Sequence, residues 1–92
     1  MLNWGIMGTS FISDTLAEAV GKDAEAQVVA IAGRRPEAVA EFQAKYGIAR
    51  TYLDYDAFLA DEQVDVVYIA LPNHLHHSYV VKAAAAGKHM VG

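Results

Sequence analysis

Apolar residues along this chain fall into short runs and helical stripes that alternate from one end to the other. Leu2 to Met7 is an apolar run stopped by Gly8, which predicts a first strand. Ile12, Leu16 and Val20 then recur at helical spacing, and Gly21 ends that helix. Gln27 to Ala32 is a second apolar run, closed by Gly33. Pro36 suits a first helical position, with Val39, Phe42 and Tyr46 along one face and Gly47 as the C-terminal cap. Arg50 to Leu53 reads as a brief extended piece. Asp54 reads as the N-cap of a short helix that turns Phe58 and Leu59 inward. Val64 to Leu71 is the longest apolar stretch, as expected of a parallel strand covered on both faces, and Pro72 terminates it. His76 to Ala86 is helical, with Tyr79, Val80, Ala83 and Ala84 toward the sheet and Gly87 closing it. Lys88 to Val91 begins a further strand.

Strands alternating with helices of about ten residues predict an α/β domain with a parallel sheet joined by right-handed crossovers. With a phosphate-type turn after the first strand, the expected strand order is 3-2-1-4-5. No repeat, linker or low-complexity segment divides the 92 residues, so they form one domain.

Composition narrows the picture. The chain is 54% hydrophobic, yet no run of about 18 uncharged apolar residues predicts a membrane span. The amino terminus lacks the charged and apolar regions of a secretory signal, and its apolar stretch is broken by Gly5 and Gly8. Without cysteine there is no disulfide, thiol nucleophile or zinc-thiolate site, which fits a cytoplasmic chain. A net charge of -4 argues against nucleic-acid binding, which relies on basic patches.

The candidate chemistry begins at Gly8-Thr9-Ser10-Phe11-Ile12-Ser13. The full nucleotide fingerprint is Gly-x-Gly-x-x-Gly or Ala, and here Gly8, Ser10 and Ser13 stand at its three positions. Gly8 supplies the tight turn. Ser10 adds a side chain where backbone should approach a pyrophosphate, but also a hydroxyl able to donate to it. Ser13 is small enough to keep helix and strand close. Taken by itself the motif is equally a plain strand-to-helix turn with a serine N-cap. The end of the second strand reads Gly33-Arg34-Arg35-Pro36, with no acid before Glu37. An acidic residue there would accept from the ribose hydroxyls of NAD, whereas two guanidinium groups suit the 2′-phosphate of NADP. The alternative is a solvated arginine pair before a helix.

Leu71-Pro72-Asn73-His74-Leu75-His76-His77 follows the strand placed beside the first, so it reaches the cleft where the strand order reverses. Asn73 and His76 can donate and accept hydrogen bonds there. Adjacent His76 and His77 point in different directions, so a metal site is not expected. His74 and His77 read as exposed, and His89 as a structural partner of nearby backbone.

Three segments together resemble the glucose–fructose oxidoreductase, inositol dehydrogenase and MocA family. They are Trp4-Gly5-Ile6-Met7-Gly8-Thr9-Ser10, Pro72-Asn73-His74-Leu75-His76, and Ala84-Ala85-Ala86-Gly87-Lys88-His89-Met90-Val91. The resemblance covers essentially the whole chain. It implies a three-layer Rossmann fold and a nicotinamide-dependent oxidoreductase of sugars, cyclitols or related polyols and ketones. It further implies that Gly8, Thr9, Ser10, Phe11 and Ile12 cradle the pyrophosphate. Arg34 and Arg35 would take the 2′-phosphate of NADP, and Leu71, Pro72, Asn73 and His76 would face the ribose and nicotinamide. None of these is itself a catalyst. The family's Glu-Lys-Pro motif is expected to begin directly after Gly92 and the substrate domain to follow it, so the chain is expected to be an incomplete domain without turnover. A nucleotide-binding module without chemistry, or a half-domain whose main property is self-assembly, are the other readings. An open edge at Lys88 to Val91 predicts self-association, most simply as a homodimer.

Overall fold

The computed structural model describes residues 2–71 and 73–91, and the side chains of these except Phe11, Asn73, His74 and Leu75. Nine elements follow in order: β1 (Leu2–Met7), α1 (Phe11–Gly21), β2 (Ala26–Ala32), α2 (Pro36–Tyr46), β3 (Arg50–Tyr52), α3 (Tyr55–Leu59), β4 (Val66–Ile69), α4 (Asn73–Ala85) and β5 (His89–Val91). The five strands form one parallel sheet in the order β3-β2-β1-β4-β5, the order expected from the sequence.

Period-two alternation along the central strands divides the core between the two faces of this sheet. Ile6 of β1 and Ile31 of β2 meet Ala17 of α1 and Val39 and Phe42 of α2 on one side. Met7, Ala30 and Ala32 meet Tyr55, Phe58 and Leu59 of α3 and Ala83 of α4 on the other. Helices therefore cover both faces, which makes three layers. Phe58 is fully buried and lies across Gly5, where an added Cβ would sit 2.6 Å from its ring tip. Gly5 thus makes room for the largest fully buried side chain.

Local signals set most boundaries. Gly47 ends α2 in the left-handed region, at φ 64° and ψ 40°. The Asp54 carboxylate accepts from the Asp56 N–H at 3.0 Å and caps α3. Other boundaries differ from the sequence expectation, by one residue at the start of β2, the ends of β3 and α4 and the start of β5, and by more at β4 and the start of α4. β4 runs from Val66 to Ile69 rather than from Val64 to Leu71; at its start Val64 N–H turns back to Asp61 O before the ladder begins. β3 stops at Tyr52, before Leu53. α4 starts at Asn73 rather than His76, since no residue after Pro72 interrupts a helix. Ala84, expected to face the sheet, is exposed, and Ala83 takes the buried place.

Two acidic groups tie elements together from outside the apolar core. Asp14 on α1 accepts from Lys45 at 3.1 Å and from the Tyr46 hydroxyl at 2.7 Å, joining α1 to the end of α2. The hydrogen bond from Tyr46, then that from Lys45, holds its carboxyl below the usual value. Asp61 is buried behind β3. Its carboxylate accepts from Arg50 Nε at 2.9 Å, the Tyr52 hydroxyl at 2.7 Å and the Gln63 N–H at 2.9 Å. Lys88 donates to the Asp61 and Val64 carbonyls, drawing the approach to β5 onto the same corner.

Burial alone would raise the Asp61 carboxyl, but the bonds from Tyr52, Gln63 and Arg50 outweigh it and hold it below 3.8. A group whose pKa is lower folded than unfolded contributes stability above its unfolded value and loses that contribution as pH falls. Asp61→Asn is therefore expected to destabilise the domain by about 1–2 kcal/mol at neutral pH. Urea unfolding at stepped pH should show that difference shrinking below about pH 4, near the ordinary carboxylate value. A difference constant with pH would remove the ionised carboxylate from this account.

Candidate cofactor-binding site

The carboxyl ends of β1, β2 and β4 converge where the strand order reverses, the usual ligand crevice of an open α/β sheet. Gly8 leaves β1 at φ +108°, a conformation that L side chains rarely adopt. Its N–H donates to Ala32 O at 2.7 Å, while an added Cβ would lie 2.6 Å from Ala70 O. The turn is therefore pressed between the ends of β2 and β4, and only glycine fits.

Ser10 follows in extended backbone and occupies the N-cap position of α1, but its hydroxyl makes no capping bond. A helix start without a side-chain cap keeps amide donors and the positive dipole end for an incoming anion. Ser13 is completely buried, and its hydroxyl donates to Gly8 O at 2.8 Å. That bond ties the first turn of α1 to the glycine turn.

At the end of β2, Gly33 N–H donates to Tyr52 O at 3.0 Å. A Cβ at Gly33 would stand 2.9 Å from Val39 and 3.1 Å from the Thr9 methyl, so the two loops pack closely. Arg34 and Arg35 follow and are exposed. Among the described residues neither forms an ion pair with a carboxylate. The Arg34 guanidinium carbon lies 5.7 Å from the centre of the Tyr55 ring. Burial pushes the Tyr55 hydroxyl above its ordinary pKa, partly offset by the Arg34 charge.

A cavity of about 340 Å³ opens over these loops. Of the residues singled out in the sequence, Gly8, Thr9, Ser10, Arg34, Arg35 and Leu71 line it together. Ile12 is exposed outside that lining, and His76 is half-buried on α4 and also outside it. The Phe11 and Asn73 side chains and Pro72 lie outside the described residues. Gly33, Tyr55 and Ala70 also line the cavity and were not singled out. The Gly33 position was visible beside the arginine pair. Tyr55 carried no motif, and its place in the site depends on the crossover that brings α3 next to β2. A second hollow of about 210 Å³ shares Thr9 and Arg35 and reaches Asp14 and Lys45, which already pair with each other. No group of three or more His, Cys, Asp or Glu suited to a metal occurs among the described residues. Among them, no helix is long and apolar enough to cross a membrane.

Residues 2–91 match the oxidoreductase family with an NAD-binding Rossmann fold, the glucose–fructose oxidoreductase, inositol dehydrogenase and MocA group. The chain belongs to this family. It is 40% identical over 92 residues to an uncharacterised oxidoreductase, ORF334, of Rhizobium meliloti, covering 99% of this chain and 28% of that protein. It is 34% identical over 91 residues to scyllo-inositol 2-dehydrogenase (NADP(+)) IolU of Bacillus subtilis strain 168, again covering 99% and 28%. Among solved structures, a probable dehydrogenase from Thermotoga maritima superposes with a TM-score of 0.93 at 28% identity, covering 97% of this chain and 27% of that one. An oxidoreductase from Agrobacterium radiobacter, in complex with NAD+, L-tartaric acid and magnesium, gives 0.91 at 29%, covering 97% and 26%. The chain thus spans a little over a quarter of its relatives' length and supplies an NAD(P)-binding Rossmann unit.

The close approach at Gly8 makes a direct prediction. Gly8→Ala combines a strained φ with a clash against backbone and is expected to cost about 2–4 kcal/mol. Gly21→Ala, at the end of α1 with open space around its Cβ, is expected to be neutral or slightly stabilising. Urea midpoints of the two variants check this. Equal effects would mean that the turn is not pressed against Ala70.

Proposed function

We propose that this chain is the NADP-binding portion of an oxidoreductase that acts on sugars, cyclitols or related carbonyl and polyol compounds. The observation that carries the reading is the arginine pair. Arg34 and Arg35 stand at the rim of a cavity built over a glycine turn, with no carboxylate paired to either among the described residues. A cation pair in that place suits a 2′-phosphate and leaves no acid to accept from unmodified ribose hydroxyls.

The residues present fit such a group. Gly8, Thr9 and Ser10 offer backbone at an uncapped helix start, where the pyrophosphate would sit, and Phe11 and Ile12 open the helix that follows. Arg34 and Arg35 would take the 2′-phosphate. Leu71 lines the same cavity and would face the ribose and nicotinamide. The family resemblance gives Pro72, Asn73 and His76 the same role, although His76 lies outside the cavity lining. A cavity of about 340 Å³ lies at the lower end of the range for small-molecule sites. When bound, the cofactor supplies or accepts a hydride; the chain's own residues bind and orient it. No catalytic role falls to any of these residues. The substrate class rests on family membership and on the scyllo-inositol dehydrogenase of Bacillus subtilis, whose name also carries NADP(+). The Agrobacterium radiobacter structure holds NAD+, so cofactor preference in this chain rests on its own arginines.

Calorimetric titration with NADPH and NADH tests the proposal. NADPH is expected to bind more tightly, and replacing both Arg34 and Arg35 by Ala should weaken it by about 10- to 100-fold, the scale of charge-assisted hydrogen bonds. NADH affinity should change little. Equal losses for both cofactors, or no preference in the unaltered chain, would overturn the 2′-phosphate assignment.

A further inference from the structure

We propose that Tyr55 is a positioning residue that sets cofactor preference by holding the Arg34 guanidinium at the cavity mouth. This rests on the 2′-phosphate reading above. Arg34 follows β2 in a loop and is itself exposed, so its side chain has little packing of its own to fix it. An arginine side chain free in water loses rotamer entropy when a phosphate immobilises it. Tyr55 removes part of that cost before any ligand arrives.

The geometry supports such a hold. The Arg34 guanidinium carbon is 5.7 Å from the Tyr55 ring centre, within cation–π range. The ring belongs to the buried cluster that includes Met7, Ala32 and Phe58, so it is a fixed platform. Behind it, Tyr79 of α4 packs edge-on, with centres 5.1 Å apart and planes at 76°. Lys82, one turn along α4, lies 5.1 Å from the Tyr79 ring centre. Two cations thus flank a pair of rings that spans α3 and α4. Arg34 is the member of that ladder on the cavity side, because both Arg34 and Tyr55 line it. No comparable ring contact holds Arg35 among the described residues. Arg34 is therefore the pre-oriented partner and Arg35 the adaptable one.

The test uses 2′,5′-ADP and 5′-AMP, which differ by the 2′-phosphate alone, titrated into the 92-residue chain. Tyr55→Leu removes the ring face and should lower the ratio of the two affinities about threefold, the scale of one exposed cation–π contact. Tyr55→Phe keeps the face and should retain the ratio. In an Arg34→Ala background, Tyr55→Leu should leave the ratio unchanged. A role in packing alone would weaken both ligands together, and that outcome overturns the proposal. Should Tyr55→Leu not fold, the ring resonances of Tyr55, assigned against the Tyr55→Phe spectrum, decide. They should shift further with 2′,5′-ADP than with 5′-AMP, and equal shifts overturn it. If the unaltered chain does not prefer 2′,5′-ADP, the proposed function itself falls and this inference with it. A preference that Tyr55→Leu leaves intact removes only Tyr55.

Discussion

Three backbone segments meet at Gly8 more closely than any side chain would permit, and the carboxyl edge of the sheet is organised around that contact. The Gly8 N–H reaches Ala32 O on one side, while Ala70 O stands where a Cβ would be on the other. Met7 O accepts from Ala70 N–H at 2.9 Å, so β1 and β4 stay paired up to the turn itself. Ser13 then fastens the helix to the same point by donating to Gly8 O. A buried hydroxyl with that partner is satisfied, and one without it would be costly. The turn, helix start and neighbouring strand ends are consequently tied to one another. Pre-organisation of this kind lowers the cost of ordering a ligand site.

The sheet supports the turn because both of its faces are covered by apolar side chains drawn from alternate positions of the same strands. Polar ties sit at the margins. Asp14 joins the two helices on one face, and Asp61 gathers β3, the loop after α3 and, through Lys88, the approach to β5. These contacts differ in worth. Lys45 is well exposed, so its pair with Asp14 is screened by water and contributes little. Asp61 is buried with three donors, so removing any one leaves charge unsatisfied in a poorly solvated place.

The period of the apolar pattern made the architecture legible, since parallel strands and amphipathic helices each leave a distinct spacing. Gly47 and Asp54 marked their helix ends because each acts locally, through backbone conformation or a capping bond. The start of α4 and the inward face of its alanines were harder to read. A run such as Ala83-Ala84-Ala85-Ala86 carries almost no contrast between faces. In the site, Gly8, Ser10 and the arginine pair were readable because fixed offsets from strand ends place them. At Ser13 the sequence makes only the small size legible, yet its hydroxyl makes the bond that closes the turn. Tyr55 was invisible because nothing near it in sequence belongs to the site. Its position depends on a crossover, which a local pattern does not encode.

That dependence bears on how cofactor preference is built. An arginine on a loop is simple to acquire, but its value against a phosphate depends on where the guanidinium rests beforehand. Here the resting place is a tyrosine belonging to the hydrophobic core and braced by a second ring on the next helix. If Tyr55 holds Arg34 as proposed, preference for one nicotinamide cofactor is a property of core packing as well as of the charged rim. On that proposal, two chains with the same Gly-Arg-Arg loop would differ in preference if one lacked the aromatic residue after β3. The loop alone would read the same in both, and only the crossover that brings α3 beside β2 would separate them.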